Sequence, residues 1–223
     1  MSRTEVEIER ELGPFPEHSH VHGVSFDGEQ VWFAAGQKLQ AVDSKSGKAT
    51  RALEIPAAAG VAFDGKHLYQ LAAGQIHKVD PHTGQVLATI PAPSPSGNSG
   101  LAWAEGSLWV GHGSNRNIVE VDPKTGKVLR TVVSNRFVTG VTFSEGELWH
   151  ATQLDYDPDH DRSQLRRVDR DTSEVLECLE LPAGVGCSGL EGDGNGRFFC
   201  GGGKTGKIRV VKRPKPAPTA RAK

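Results

Sequence analysis

Short stretches of alternating apolar and polar residues, separated by Gly-rich turns, run the length of the chain, and five are near copies of one another. HGVSFDGEQVWF, AGVAFDGKHLYQ, SGLAWAEGSLWV, TGVTFSEGELWH and SGLEGDGNGRFF align on Gly23, Gly60, Gly100, Gly140 and Gly189, at steps of 37, 40, 40 and 49 residues. A second element follows in each unit: KLQAVDSKSGKA, QIHKVDPHTGQV, IVEVDPKTGKVL and LRRVDRDTSEVL, with the fifth reduced to GKIRVVK. Alternation at period two predicts strands, and helical periodicity is absent over any useful length. Four strands per unit at a period near forty predict an all-β, five-bladed β-propeller. The hairpin turns between successive strands disfavour the competing stacked solenoid.

Within a unit the first strand reads Gly-Val-x-Phe. Asp27-Gly28, Asp64-Gly65, Glu105-Gly106 and Glu145-Gly146 predict tight hairpins after it. The second strand carries a large ring at Trp32, Tyr69, Trp109, Trp149 or Phe199, and the third ends at Asp43, Asp80, Asp122 or Asp169. Each of those aspartates is expected to accept backbone N–H bonds across the turn that follows, a structural task. The fifth unit lacks a fourth strand of its own. Residues 5–12, EVEIEREL, have the alternation to supply it, so the N-terminal strand is predicted to close the ring. The expected organisation is one domain over 1–213 and a disordered, basic, Pro-rich tail over 214–223.

Composition agrees with many short strands and turns: 27 of 223 residues are glycine, well above the usual share of about 7%. Net charge is -1, but the last twelve residues carry five cations. Without them 21 positive residues face 27 negative ones, an acidic body that does not suit duplex nucleic acid. No apolar run reaches the length of a membrane helix, and the charged N-terminus has no secretory pattern. Cys178, Cys187 and Cys200 are odd in number and lack CxxC spacing, which argues for reduced thiols and a cytoplasmic location.

Candidate chemistry comes from departures from the repeat. The residues before the repeat glycines, His22, Ala59, Ser99, Thr139 and Ser188, are expected to ring one mouth of the channel, with His22 the large polar exception. His18, His20 and His22 alternate, but an extended strand spreads them over about 13 Å, too far for one metal without a turn. Glu191 stands in the small-residue column of Ser25, Ala62, Ala102 and Thr142, and Gly192 replaces the aromatic after it. That carboxyl either pairs structurally or faces a pocket as an acid–base group. The blade-four insertion QLDYDPDHDRSQLRR holds Asp155, Asp157, Asp159 and Asp161, without the glycine and terminal glutamate of an EF-hand.

These features define a catalytic set of His22, His150 and Glu191. His112, Arg136, Tyr156, Arg162 and Asn98 are the expected substrate contacts, the arginines for an anionic group. No cofactor is predicted, and a divalent metal stays open. GGGKTG at 201–206 precedes a strand where a phosphate loop would open a helix, so it reads as a hairpin.

HGVSFDG, SGLAWAEGSLWVGHG with IVEVDPKTGKVLRTV, and TGVTFSEGELWHATQLD with SQLRRVDRDTSEVL resemble the repeats of the glutamine cyclotransferase group of five-bladed propellers. They are also similar to virginiamycin B lyase-like propellers. The first resemblance implies conversion of N-terminal glutamine to pyroglutamate, and the second implies metal-dependent elimination. In the first repeat, Val21-His22 and Phe33 stand where the cyclotransferases commonly have a Thr–Gln pair and a glutamate. The expected function is a small-molecule enzyme, lyase or cyclotransferase-like, with acid–base residues at the channel mouth. A non-catalytic binding module, for a small ligand or a protein, is the alternative. Oligomeric state is left open.

Overall fold

The protein is described by a computed structural model that covers residues 3–15, 20–153, 163–202 and 205–214. Two short strands open the chain, β1 (Arg3–Glu5) and β2 (Ile8–Leu12). Blade one is β3 (Val24–Phe26), β4 (Gln30–Ala34), β5 (Leu39–Asp43) and β6 (Ala49–Leu53). Blade two is β7 (Val61–Phe63), β8 (Leu68–Ala72), β9 (Gln75–Val79) and β10 (Val86–Pro91). Blade three is β11 (Asn98–Ala104), β12 (Ser107–His112), β13 (Asn117–Val121) and β14 (Val128–Val133). Blade four is β15 (Phe137–Ser144), β16 (Glu147–Gln153), β17 (Ser163–Val168) and β18 (Val175–Glu180). Blade five has β19 (Gly189–Gly192), β20 (Arg197–Gly202) and β21 (Lys207–Lys212). Each blade is an antiparallel meander, and β2 pairs antiparallel with β21 as the fourth strand of blade five. The fold is a five-bladed β-propeller closed by the N-terminal segment.

The closing segment is divided differently from the single strand expected over 5–12. Only β2 completes blade five, while β1 runs parallel to β18 as a fifth strand on blade four. Val6, 4% exposed, is buried between the two and packs with Leu179 and Leu181. One segment therefore ties the first residues of the chain to both of its last blades. The tail over 215–223 lies outside the described residues.

Inner strands meet around the axis through the repeat glycines. A Cβ on Gly23 would stand 2.4 Å from the Ala59 carbonyl oxygen, one on Gly60 2.4 Å from the Leu101 nitrogen, and one on Gly100 2.5 Å from the Val141 nitrogen. The ring continues from Gly140 to Leu190 at 2.7 Å and from Gly189 to the His22 carbonyl oxygen at 2.5 Å. Backbone here packs on backbone, so five glycines are required by proximity and the axis is tightly filled at their level.

Outside this ring, aromatic rings lock blade to blade. Tyr69 stacks on Trp103 at 5.2 Å, Trp109 tilts on Phe143 at 5.1 Å, and Phe199 tilts on Phe26 at 5.2 Å. In each case a second-strand ring meets the first-strand aromatic of the next blade. At the blade four–five junction Gly192 has no ring to offer. Its cross-strand partner Phe198 supplies one, 4.9 Å from Trp149.

The hairpins divide into two kinds. Glu105-Gly106 and Glu145-Gly146 are two-residue turns with positive φ at both positions, the geometry that matches strand twist. Asp27 and Asp64 instead begin wider turns and fold back onto them. Asp27 Oδ1 accepts the N–H groups of Glu29 and Gln30 at 3.0 and 2.7 Å, while Oδ2 accepts the Trp32 indole N–H at 2.7 Å. Asp64 does the same for Lys66, His67 and the Tyr69 hydroxyl. The buried indole nitrogens of Trp109 and Trp149, behind the glutamate turns, have no hydrogen-bond partner among the described residues. The third-strand aspartates behave as expected: Asp43, Asp80, Asp122 and Asp169 each accept two backbone N–H bonds, which hold the carboxyls of the last three below the ordinary range, while the Ser46 hydroxyl leads these bonds in doing so for Asp43.

Candidate functional site

The mouth ring exists, and in three blades its side chains are structural. Ser99 Oγ donates to the Val138 carbonyl at 2.8 Å, Thr139 Oγ1 to the Cys187 carbonyl at 2.6 Å, and Ser188 Oγ to the Val21 carbonyl at 2.5 Å. Each hydroxyl thus bridges to the residue just before the next member of the ring. The girdle breaks at His22 and Ala59, which have no hydroxyl. His22 is half-buried there, and its ring stacks on His20 at 5.7 Å with an interplanar angle of 6°. Burial, reinforced by His20, holds the His22 imidazole below its ordinary pKa. His18, the third member of the alternating set, lies outside the described residues.

Glu191 does not share this mouth. It follows Gly189 by two positions, on the opposite side of the glycine ring from His22. Its carboxyl accepts hydrogen bonds from the Ser25 hydroxyl at 3.1 Å, the Gly192 N–H at 2.9 Å and the Thr142 hydroxyl. Burial raises its pKa to about 7, with these hydrogen bonds pulling the other way. The small-residue column is therefore a set of partners: blades one and four each lend a hydroxyl to the carboxyl of blade five.

His150 is also apart from the mouth. It sits on β16, one strand out from the axis, in register with Val141 and Arg166, and is 1% exposed. Burial, with the nearby Arg166 guanidinium, lowers its pKa to about 3 and keeps the ring neutral. The expected catalytic set of His22, His150 and Glu191 is thus divided among three surroundings. Sequence alignment placed all three near the axis, but strand pleat and the glycine ring send their side chains to different faces and levels.

Two other expected contacts do meet. Asn98 and His112 are cross-strand partners on blade three. His112 Nδ1 accepts the Asn115 N–H at 3.1 Å, and its ring covers Gly97, where a Cβ would come within 2.7 Å. Asn98 donates to the Ser94 carbonyl at 2.6 Å, while its own Oδ1 is buried without a hydrogen-bond partner among the described residues. Arg136 is half-buried on the segment leading into β15, and Tyr156 and Arg162 lie outside the described residues.

Sequence reasoning missed Arg166. It is 7% exposed and donates to Gln164 Oε1 at 3.0 and 2.8 Å and to Asn135 Oδ1 at 2.7 Å. The available signal was LRRVD in blade four against LQAVD, IHKVD and IVEVD at the same place. Among the described residues, no group of three or more His, Cys, Asp or Glu side chains is placed to hold a metal ion. No helix of the described residues is long and apolar enough to cross a membrane. Two surface clefts lie elsewhere. One of about 570 Å³ is lined by Glu5, Val6, Ile8, Glu180 and Pro182, and one of about 350 Å³ by Asp27, Glu29, Arg51, Lys66 and His82.

Residues 17–129, which run from the approach to blade one into the last strand of blade three, match the family model described as outer membrane protein assembly factor BamB. The chain belongs to that family. No curated protein matches it. Among solved structures, the BamB-family chain is similar to Myxococcus xanthus glutaminyl cyclase, with a TM-score of 0.75 and 17% identity over 94% of this chain and 97% of that one. A chain of a mitotic checkpoint complex is similar at TM-score 0.57 and 12% identity, over 94% and 96% of the two chains. A chain of Kuenenia stuttgartiensis hydrazine synthase follows at 0.52 and 17%, covering 92% of this chain and 60% of that one. Identities this low show a common fold.

Proposed function

We propose that the protein is a small-molecule enzyme of the cyclotransferase-like acid–base type, working at the channel mouth with His22 as the base. The observation that carries this reading is the break in the hydroxyl girdle. Three ring positions are committed to inter-blade hydrogen bonds, whereas at the fourth stands a half-buried imidazole. An imidazole held below its ordinary pKa is neutral near pH 7 and can accept a proton from an attacking amine. Cyclisation of an N-terminal glutamine then forms the bond between that amine and the side-chain carbonyl carbon, and the amide nitrogen leaves as ammonia with the proton returned. The likeness to a glutaminyl cyclase along nearly the whole chain supports this choice among acid–base reactions.

Incubation with a peptide that begins with glutamine tests the proposal through release of ammonia. The enzyme is expected to release it faster than buffer, and His22→Ala to lose that excess while keeping its β-sheet circular dichroism. A non-catalytic binding module is the second reading, favoured by the burial of His150 and the structural pairing of Glu191. A ligand that raises the melting temperature through His22 without turnover would decide for the module.

A further inference from the structure

Gln70 departs from its column. The residue after the second-strand ring is Phe33, Val110, His150 or Cys200 in the other blades, and in blade two it is an amide side chain, 0% exposed. Burying an amide is costly unless its hydrogen bonds are met. Nε2 of Gln70 meets three backbone carbonyls, those of Leu71 at 2.9 Å, Ala59 at 3.2 Å and Gly60 at 3.3 Å. Three acceptors around one end fix which way the amide points, since the reversed group would set oxygen against oxygen. Its Oε1 is buried and has no hydrogen-bond partner among the described residues. The donor end is thus the one in use, and two of its three bonds go to the residues that lead into β7.

Those two residues are where blade one rests on blade two. A Cβ on Gly23 would stand 2.4 Å from the Ala59 oxygen and 2.7 Å from the Gly60 Cα, so the chain at Gly23 lies directly on that step. The girdle supplies no hydroxyl at this seam, because blade one has His22 where blades three to five have Ser99, Thr139 and Ser188. Two backbone bonds between Gly36 and Ala57, at 2.8 and 2.7 Å, join the blades two residues before Ala59. The Gly60 N–H turns the other way, toward blade three, and donates to the Ser99 carbonyl at 2.7 Å. The Ala59 carbonyl, against which Gly23 rests, accepts from Gln70.

We infer that Gln70 is a positioning residue for His22, holding the Ala59–Gly60 step that seats the His22–Gly23 backbone at the break in the girdle. Blade one anchors the same stretch from its own side: the His22 N–H donates to the Ala34 carbonyl at 3.0 Å, and the Ala34 N–H to the Gly23 carbonyl at 2.9 Å. Those bonds tie His22 to its strand, and Gln70 fixes the surface on which that strand end lies. Gln70 reaches His22 through backbone contacts, which makes it a positioning and not a catalytic residue. Its meaning for turnover rests on the reading of His22 as the base.

The test compares the full native chain with Gln70→Met, which keeps the length of the side chain and removes the donor. Gln70→Val, the residue of this column in blade three, takes its place where Gln70→Met does not fold. Proton NMR follows the His22 imidazole through a pH titration, its signal identified by its absence in His22→Ala, with the exposed His82 as internal reference. The native midpoint is expected below the ordinary 6.5, and in the variant it should move up as the step shifts and water reaches the imidazole. Ammonia release from a peptide beginning with glutamine is read in parallel. Misplacing a catalytic group by about an ångström costs up to about a hundredfold, so kcat is expected to fall about tenfold or more with KM little changed. A moved midpoint with a lowered kcat supports the inference. A folded variant that melts at a lower temperature but keeps the native midpoint, or an active one that keeps the native kcat, overturns it. Should the native chain release no ammonia above buffer, the reading of His22 as the base fails, and the midpoint alone decides: moved, it upholds the positioning role, and unchanged, it overturns it.

Discussion

The Ser25 hydroxyl donates to the Glu191 carboxyl at 3.1 Å, joining residues 166 apart in sequence at the seam where blade five meets blade one. Thr142 reaches the same carboxyl from blade four. Glu191 is therefore a staple at the point where the ring closes, and its protonation state bears on the stability of closure.

Its pKa, raised from 4.5 to about 7, fixes the sign. Between those values the unfolded chain has released the proton and the folded one still holds it. Stability from this group is full below pH 4.5 and is lost as pH rises through 7. The loss is on the order of 3 kcal/mol. Glu191→Gln, which stays neutral, is expected to flatten this fall in urea midpoints measured from pH 4 to pH 8.

His150 has the opposite sign. Its pKa is lowered from 6.5 to about 3, so its contribution is present above pH 6.5 and lost as pH falls toward 3. The same column holds Gln70 in blade two, fully buried. His150→Gln is expected to fold and to weaken the acid-side loss, which the same urea series checks.

The two kinds of hairpin make a separate prediction. Asp27→Ala removes the acceptor of two backbone N–H groups and of the Trp32 indole, all within 3.0 Å. Leaving buried donors unmet costs about 1–3 kcal/mol. Glu105→Ala has no comparable bond to the Trp109 indole to break, since that nitrogen is already unpartnered. Paired denaturation curves should show a clear loss for Asp27→Ala and a small one for Glu105→Ala.

The architecture was legible in sequence because its cause is periodic. The repeat glycines are spaced by the blade, and structure shows the reason, a Cβ at Gly60 or Gly100 having no room. Closure was legible because β21 had no successor in sequence. The division of the N-terminal segment was not, since β1 is exposed along its length and carries no buried apolar side chain to mark it. The site was least legible. Alignment gives a residue's place along the axis direction, but not which inter-blade face its side chain enters. His22, His150 and Glu191 differ in that respect, and Arg166 became visible only through the neutral acceptors around it.

The N-terminal segment can be dissected by truncation. A chain starting at Val6 loses only the exposed strand β1, whereas one starting at Gly13 also loses Val6, Leu12 and the fourth strand of blade five. The first should keep its cooperative unfolding with a small shift in midpoint. The second should lose several kcal/mol, about 2 or more from each buried large side chain, and unfold at a much lower urea concentration or fail to fold.

The central claim, that His22 acts as a base at the mouth, is tested most directly by the pH dependence of ammonia release from a peptide beginning with glutamine. The account predicts a rate that falls on the acid side with a midpoint below the ordinary histidine value of 6.5, because burial and His20 hold the imidazole there. It also predicts that His22→Ala removes both the acid limb and the activity. Ammonia released no faster than in buffer at any pH, or an unchanged acid limb in His22→Ala, would contradict it.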